Sequence, residues 1–340
     1  MSHGELWRRQ FAIGLESTVG TAVAATRRSY LQDADIGDSR ASNAVEFDTG
    51  DVNRVRAVTL GPTEAGGSLS MLMSADELVE WGLVGYQSGV TAVAVSGETG
   101  NQMWSFVPST SLASLTLERD DGARTFRMAG TRVNQFTFSG DATGAATVGL
   151  DLFGVDYATL GSFAAVGQRT MTYMQGYQML FYVDAFGTAT WGTTTNPTLV
   201  AGTLLNYQVT VNRNLSRVYT ADNTLAANAT IVGPLTVTAT YTFKAAASPV
   251  TTELTAYGAE TQRLVRVRHL GPVSEAGMFA TSSRTVDIDV AGKWSARTLS
   301  GDAQGVATYE FQLTGVYDSV NAFTTRMRLK NARTTAWTNT

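Results

Sequence analysis

The stretch from Ser139 to Ala158, SGDATGAATVGLDLFGVDYA, returns from Ser300 to Ser319 as SGDAQGVATYEFQLTGVYDS. About half of the positions are identical without a gap, at an offset of roughly 160 residues, close to half the chain. So long a period rules out a short-repeat solenoid and implies one domain folded twice in tandem. Domain 1 is placed at residues 1–165 and domain 2 at residues 166–340, the latter ending in a C-terminal tail. The link lies near Gly161 to Gln168.

Within each copy, Ser-Gly-Asp-Ala-x-Gly reads as a turn, with glycine supplying positive φ and Asp an Asx geometry. An alternating strand follows. Val148, Leu150 and Leu152 share one face in the first copy; Tyr309, Phe311 and Leu313 do so in the second. The same period of two runs through Leu115–Glu118, Val133–Phe138, Tyr207–Val211, Leu235–Phe243, Leu264–Arg268 and Val286–Val290. Such alternation implies antiparallel sheets with one apolar and one polar face.

Helix signals are few and fall at related places. Ser74 and Glu77 have capping-box spacing for a helix over about residues 75–85, with Leu78, Trp81 and Gly82 inward and Gly85 as terminator. Ser248-Pro249 reads as the N-cap and first position of a helix over about 249–257, ending at Gly258. Ahead of each pre-helix strand runs a weakly patterned segment, about 37–66 in the first half and 217–233 in the second. Loops of that length in compact domains are often functional. The first of them holds Asp51, Arg54, Arg56, Thr63 and Glu64, candidates for an arm that reaches a neighbouring subunit. A loop with no such role is the plainer reading.

Charged residues make up 16% of the chain and the net charge is −4. Only Lys244, Lys293 and Lys330 are lysines, too few for the cationic clusters that hold phosphates. There is no cysteine, hence no disulfide framework and no thiolate metal site. The opening residues lack the pattern of a secretory signal, and no apolar run approaches a membrane span.

A search for chemistry finds no nucleophile with a base in its neighbourhood, no phosphate loop and no clustered metal ligands. His269, the one internal histidine, reads as an edge or interface residue. Asp287 and Asp289 sit two apart on a strand's polar face. They are read either as a solvated face or, with Asp151 and Glu310, as acidic groups lining a passage. Trp81, Trp104 and Trp294 are core or interface anchors. The expected class is therefore structural, not enzymatic, with no cofactor.

FAIGLESTVGTA (from Phe11), GGSLSMLMSADELVEWGLVG (from Gly66), TRVNQFTFSGDATGAATVGLDLFG (from Thr131) and YQVTVNRNLSRVY (from Tyr207) together resemble, in their order, the tail tube proteins of long-tailed, non-contractile phages. The resemblance runs over nearly the whole chain. It implies a mainly β protein of two tandem tail-tube-like antiparallel β-sandwich or barrel domains, each with a short flanking helix. It implies a virion protein made in the host cytoplasm. Subunits close into rings whose inner sheets join, and the rings stack into the conduit for DNA. Its partners would be itself, the tape measure protein during assembly, the tail terminator and distal tail proteins. DNA would pass without specific binding, and no membrane is involved. Most tube proteins of this family have one domain and form hexamers. Two domains in one chain imply a trimeric, pseudo-hexameric ring, with a true hexamer as the alternative. Rival expectations are a two-domain β-sandwich binding or adhesion module, or another tail component such as a terminator or baseplate hub.

Overall fold

A computed structural model describes residues 9–48, 55–98, 100–163, 166–167, 171–189, 191, 197–221, 227, 229–245, 248–271, 284–303 and 306–337. The chain is mainly β and antiparallel. The first half holds β1 (Gln10–Leu15), β2 (Arg27–Ser29), β3 (Asp33–Glu46), β4 (Val55–Leu72), helix α1 (Leu78–Gly85), β5 (Val93–Ala94), β6 (Gln102–Phe106), β7 (Leu115–Asp120), β8 (Thr125–Asp141), β9 (Thr147–Gly154) and β10 (Asp156–Leu160). The second half holds β11 (Met179–Ala185), β12 (Leu204–Asn212), β13 (Ser216–Val218), β14 (Ala229–Ile231), β15 (Thr236–Lys244), helix α2 (Ser248–Gly258), β16 (Gln262–Leu270), β17 (Thr285–Ala303), β18 (Val306–Gly315) and β19 (Thr325–Asn331).

The two long strands β8 and β17 each serve two sheets. The first part of β8 pairs with β7 and β10, and β7 leads on to β1 and β2. Its second part pairs with β9, which leads on to β4 and β3. In the same way β17 pairs first with β16 and β19, β16 leading to β11, and then with β18, which leads on to β15 and β12. A register shift in β8 between Val133 and Gln135, opposite β9, recurs in β17 between Trp294 and Ala296, opposite β18. The bulge therefore belongs to the repeat, and it turns both strands at the same place.

The bend in β8 has a local cause. Gly130 has φ 63°, and a Cβ there would sit 2.5 Å from a Val155 methyl. Its N–H donates to the buried carboxylate of Glu16 at 2.8 Å. Glu16 also accepts from Gly20 N–H at 2.9 Å and from the hydroxyls of Ser114 and Thr116 at 2.7 and 2.8 Å. Four donors satisfy this carboxylate, so it ties the turn after β1 to β7 and to the bend.

Helix α1 is buried on all sides. Gly85 lets it touch Phe136 and Val133 of β8, while Gly82 lets it touch Phe106 of β6 and Met327 of β19. One face thus meets its own half and the other meets the second half, where β6 pairs with β19. The C-terminal residues close over the same helix: Arg333 donates to Glu80 at 3.0 Å, and Arg27 contacts that carboxylate at 2.6 Å. One apolar core runs through both halves.

Several expectations need correcting. The segment over 37–66 is no loop; most of it is β3 and β4 paired as a hairpin, from Asp33↔Ser70 out to Glu46↔Val55. It lacks alternation because the outer hairpin is exposed on both faces, so no core selects a pattern. The segment over 217–233 contains the short β13–β14 pair. The expected capping box is met in part: Ser74 Oγ accepts from Asp76 N–H at 3.3 Å, but α1 begins later, at Leu78, and Glu77 accepts from the buried Ser29 hydroxyl. In the repeat turn, Asp141 does accept from Thr143 N–H at 2.8 Å, but Gly140 and Gly144 are not in positive φ. β7 has no polar face to show, because Leu115 to Glu118 are all buried.

Candidate assembly interface

The two halves are spliced edge to edge. β12 pairs antiparallel with the second part of β8, from Asn206↔Asp141 to Asn212↔Gln135. The result is one sheet of eight strands in the order β3, β4, β9, β8, β12, β15, β18, β17. On its inner face Phe136 and Phe138 lie opposite Val211 and Val209, all fully buried. The two phenylalanine rings stack at 5.6 Å. Gly140 is at this seam because a Cβ there would meet the Tyr207 ring at 2.7 Å.

Tyr207 also fixes His269, its hydroxyl 2.7 Å from Nε2. Burial pushes the imidazole down to about 4, outweighing the raising effects of the Gln175 backbone and Asp287. The unfolded imidazole takes its proton near 6.5. Between those values the unfolded chain binds more protons, so stability is full above pH 6.5 and falls as pH drops toward 4. We expect a loss on the order of 3 kcal/mol across that window. Urea melts at stepped pH should show it. The His269→Gln variant should lack the part of the slope between pH 6.5 and 5; an unchanged slope would refute the assignment.

The opposite face of the eight-stranded sheet is polar, built mainly of Thr, Ser, Asn and Gln, with charges of both signs set among them, Asp33, Asp35, Lys244 and Lys293 included. One row across it reads Asp33, Ser70, Gly149, Thr137, Thr210, Thr238, Thr314, Lys293, charged only at its two ends. The next reads Leu72, Thr147, Ser139, Gln208, Thr240, Gln312, Ala296. Asp151 and Glu310 stand on this face, Asp151 exposed and accepting from Asn134 Nδ2 at 2.9 Å.

Asp287 and Asp289 do not share that face, contrary to both readings of them. They lie on the first part of β17, in the other sheet, and are fully buried. Arg266 is opposite Asp289 and Arg268 opposite Asp287 on β16; Arg326 and Arg328 face them from β19. Arg268 grips Asp287 through two bonds of 2.7 and 2.8 Å, and Arg266 grips Asp289 at 2.6 and 2.9 Å. Arg326 adds a third cationic contact to Asp289 at 2.7 Å. Burial would raise the Asp287 carboxyl, but the guanidinium groups of Arg266 and Arg268 outweigh it and hold it well below the usual carboxylate range. The signal was present as charges two apart on three strands, but only the pairing brings them into one ladder.

The arm candidates divide. Asp51 and Arg54 lie outside the described residues, and Arg56 falls within β4. Thr63 and Glu64 are at the hairpin base and are held within the chain: the Tyr219 hydroxyl donates to the Thr63 carbonyl at 3.2 Å and Arg217 lies 3.9 Å from Glu64. Farther out, Phe47, Val55, Val58 and Leu60 are each at least half exposed. A hairpin with that much exposed apolar surface has the character of a docking element.

At the two ends of the sheet, β3 and the second part of β17 pair on one side only among the described residues. These ends are the counterparts of the strands joined in the middle: β17 corresponds to β8 and β3 to β12. α2 differs from α1 in the same sense. It packs on β17, but Thr251, Thr252, Thr255 and Gly258 are exposed where α1 is covered. No helix among the described residues is long and apolar enough to cross a membrane. No protein-family model matches the chain, and no curated protein matches it.

Proposed function

We propose that this chain is a structural subunit that adds head to tail into closed rings, and that the stacked rings form the tail tube of a long-tailed phage, the conduit for its DNA. The observation that carries the reading is the seam between β8 and β12. The chain already performs once, internally, the edge-to-edge joining that a ring requires, and it presents the corresponding strands at its two ends. A heterologous contact of this kind closes if its rotation divides a circle, and closure removes the exposed edges.

Dimensions support the reading. Three copies supply six four-stranded units, or about 24 strands at ~4.8 Å, a circumference of at least ~115 Å and a diameter of about 37 Å. That leaves room for duplex DNA after side chains are subtracted. A wall of Thr, Ser, Asn and Gln, whose carboxylates such as Asp151 and Glu310 outnumber its two lysines, Lys244 and the Glu260-paired Lys293, offers phosphates little grip and weak repulsion. The tape measure protein, terminator and distal tail proteins belong to this proposal as partners, and the virion as its place. Electron microscopy of the purified protein tests it. Long hollow filaments are expected; isolated closed rings would favour a terminator or hub, and dispersed monomers a binding module.

A further inference from the structure

The seam inside the chain specifies the joint between chains. In the repeat, Phe136 and Arg297 are counterparts, as are Phe138 and Leu299; the first pair lies opposite Leu150 and Phe311, the second opposite Val148 and Tyr309. On the other side of the seam, Ala34 reaches Leu150 through Leu69, just as Tyr207 reaches Phe311 through Tyr241. Ala34 is therefore the counterpart of Tyr207, Ile36 of Val209, Asp38 of Val211 and Arg40 of Arg213. Within the chain Val209 faces Phe138 and Val211 faces Phe136.

We propose that the β17 edge receives β3 of a second copy in this one register, with Ile36 opposite Leu299, Asp38 opposite Arg297, and Arg40 entering the cleft between α2 and the edge. It rests on the ring reading above and fixes the residues of its joint.

Three observations made independently of that mapping agree with it. Leu299 is 65% exposed, whereas its counterpart Phe138 is fully buried by the neighbouring β12; an incoming β3 strand would lie over it, although Ile36 itself is already only 2% exposed in the single chain. The apolar Phe136–Val211 pair is replaced at the ends by Asp38 and Arg297, both exposed and of opposite charge. Opposite charges directly across a strand pair are stabilising, and each keeps the lone subunit soluble. Sliding the register by two residues to set Arg40 opposite Arg297 would juxtapose two cations, and sliding by one would turn the apolar residues to the wrong face.

The cleft supplies the third. Arg213 is buried on the first half, its N–H donating to the Asn134 carbonyl at 2.7 Å and its guanidinium to the Ser109 carbonyl near the end of α1. Asn134 corresponds to Ser295. Around Ser295 the second half has an open cleft of about 560 Å³, bounded by Tyr257, Glu260, Trp294 and Thr314. What Arg213 and the residues after it fill on the first half is an open cleft among the described residues of the second. Arg40 is exposed in the single chain, with Nε donating to the Gly61 carbonyl at 3.0 Å. In the cleft it would meet the exposed Glu260 carboxylate, which holds Lys293 at 2.8 Å.

Charge exchange tests the register. Asp38→Arg and Arg297→Asp should each reduce sedimentable assemblies at least tenfold, and the double variant should restore them. Unaltered circular dichroism and melting would show that the subunits still fold. Because the chain lacks cysteine, Asp38→Cys with Arg297→Cys in one chain should also give a covalent ladder on oxidation of the assembled protein. Arg40→Cys with Arg297→Cys should give none. Single reversals that assemble normally, an exchange that fails to restore, or cross-linking at the shifted pair would overturn the register while leaving the ring intact. A wild-type chain that stays monomeric by light scattering would overturn the ring reading itself, and the register with it.

Discussion

Replacing residues 43–59 by an Asn-Gly turn should abolish tube formation while shifting the melting temperature of the subunit by no more than about 2 °C. The excision falls beyond the Ser42↔Leu60 pair, so the hairpin can close on a two-residue turn whose twist suits antiparallel strands. It removes Phe47, Val55 and Val58, which are exposed and carry none of the core. Arg40, Thr63 and the Tyr219 and Arg217 contacts at the hairpin base stay in place. Stability therefore has little to lose. Assembly has much to lose, because apolar area covered at a subunit contact contributes on the order of 25 cal/mol per Å². Sedimentation of the variant beside wild type reads the effect, with normal filaments refuting any role for the arm.

The largest destabilisation is expected from Asp289→Ala. Asp289 is fully buried and holds Arg266, also fully buried, and Arg326. Removing one partner of a buried ion pair leaves a desolvated charge uncompensated, which costs about 3–5 kcal/mol. A fall in Tm on the order of 10 °C follows for a chain of this size. Glu310→Gln, on the polar face, should change stability by less than about 0.5 kcal/mol. Thermal unfolding of the two variants separates the sites, and equal effects would contradict the assignment of Asp289 to the buried ladder. Acid acts the same way: protonating Asp287, whose folded carboxyl is held low, removes its contribution only as pH falls below about 4.

What could be read from the sequence was what the backbone repeats locally. Val148, Leu150 and Leu152 alternate because one sheet face is buried, and Ser139–Ala158 matched Ser300–Ser319 because both build the same strand pair. The hairpin over β3 and β4 escaped because a strand exposed on both faces carries no period. The burial of Asp287 and Asp289 is illegible for a related reason: alternation tells which residues share a face, not whether that face meets water or four arginines. Of the capping pair, Ser74 keeps its local bond to Asp76 N–H, while Glu77 takes a tertiary partner, Ser29, that no local rule names. The seam was invisible too, since Gln135–Asp141 and Asn206–Asn212 carry nothing that marks them as partners. Only the correspondence of halves, read together with the pairing, turns Asp38 and Arg297 from unremarkable surface charges into a matched pair.

The seam also changes how growth should depend on concentration. Joining β8 to β12 happens while the chain folds, at the effective concentration of two tethered partners, of order millimolar, however dilute the protein. Around any closed ring, every second joint is then already made before two molecules meet. Nucleation requires fewer than half as many encounters as it would for unlinked single units, so its rate should rise with a lower power of concentration. The angle between neighbouring units is likewise set in each molecule before growth begins, which disfavours open or mis-sized arcs from the first addition onward.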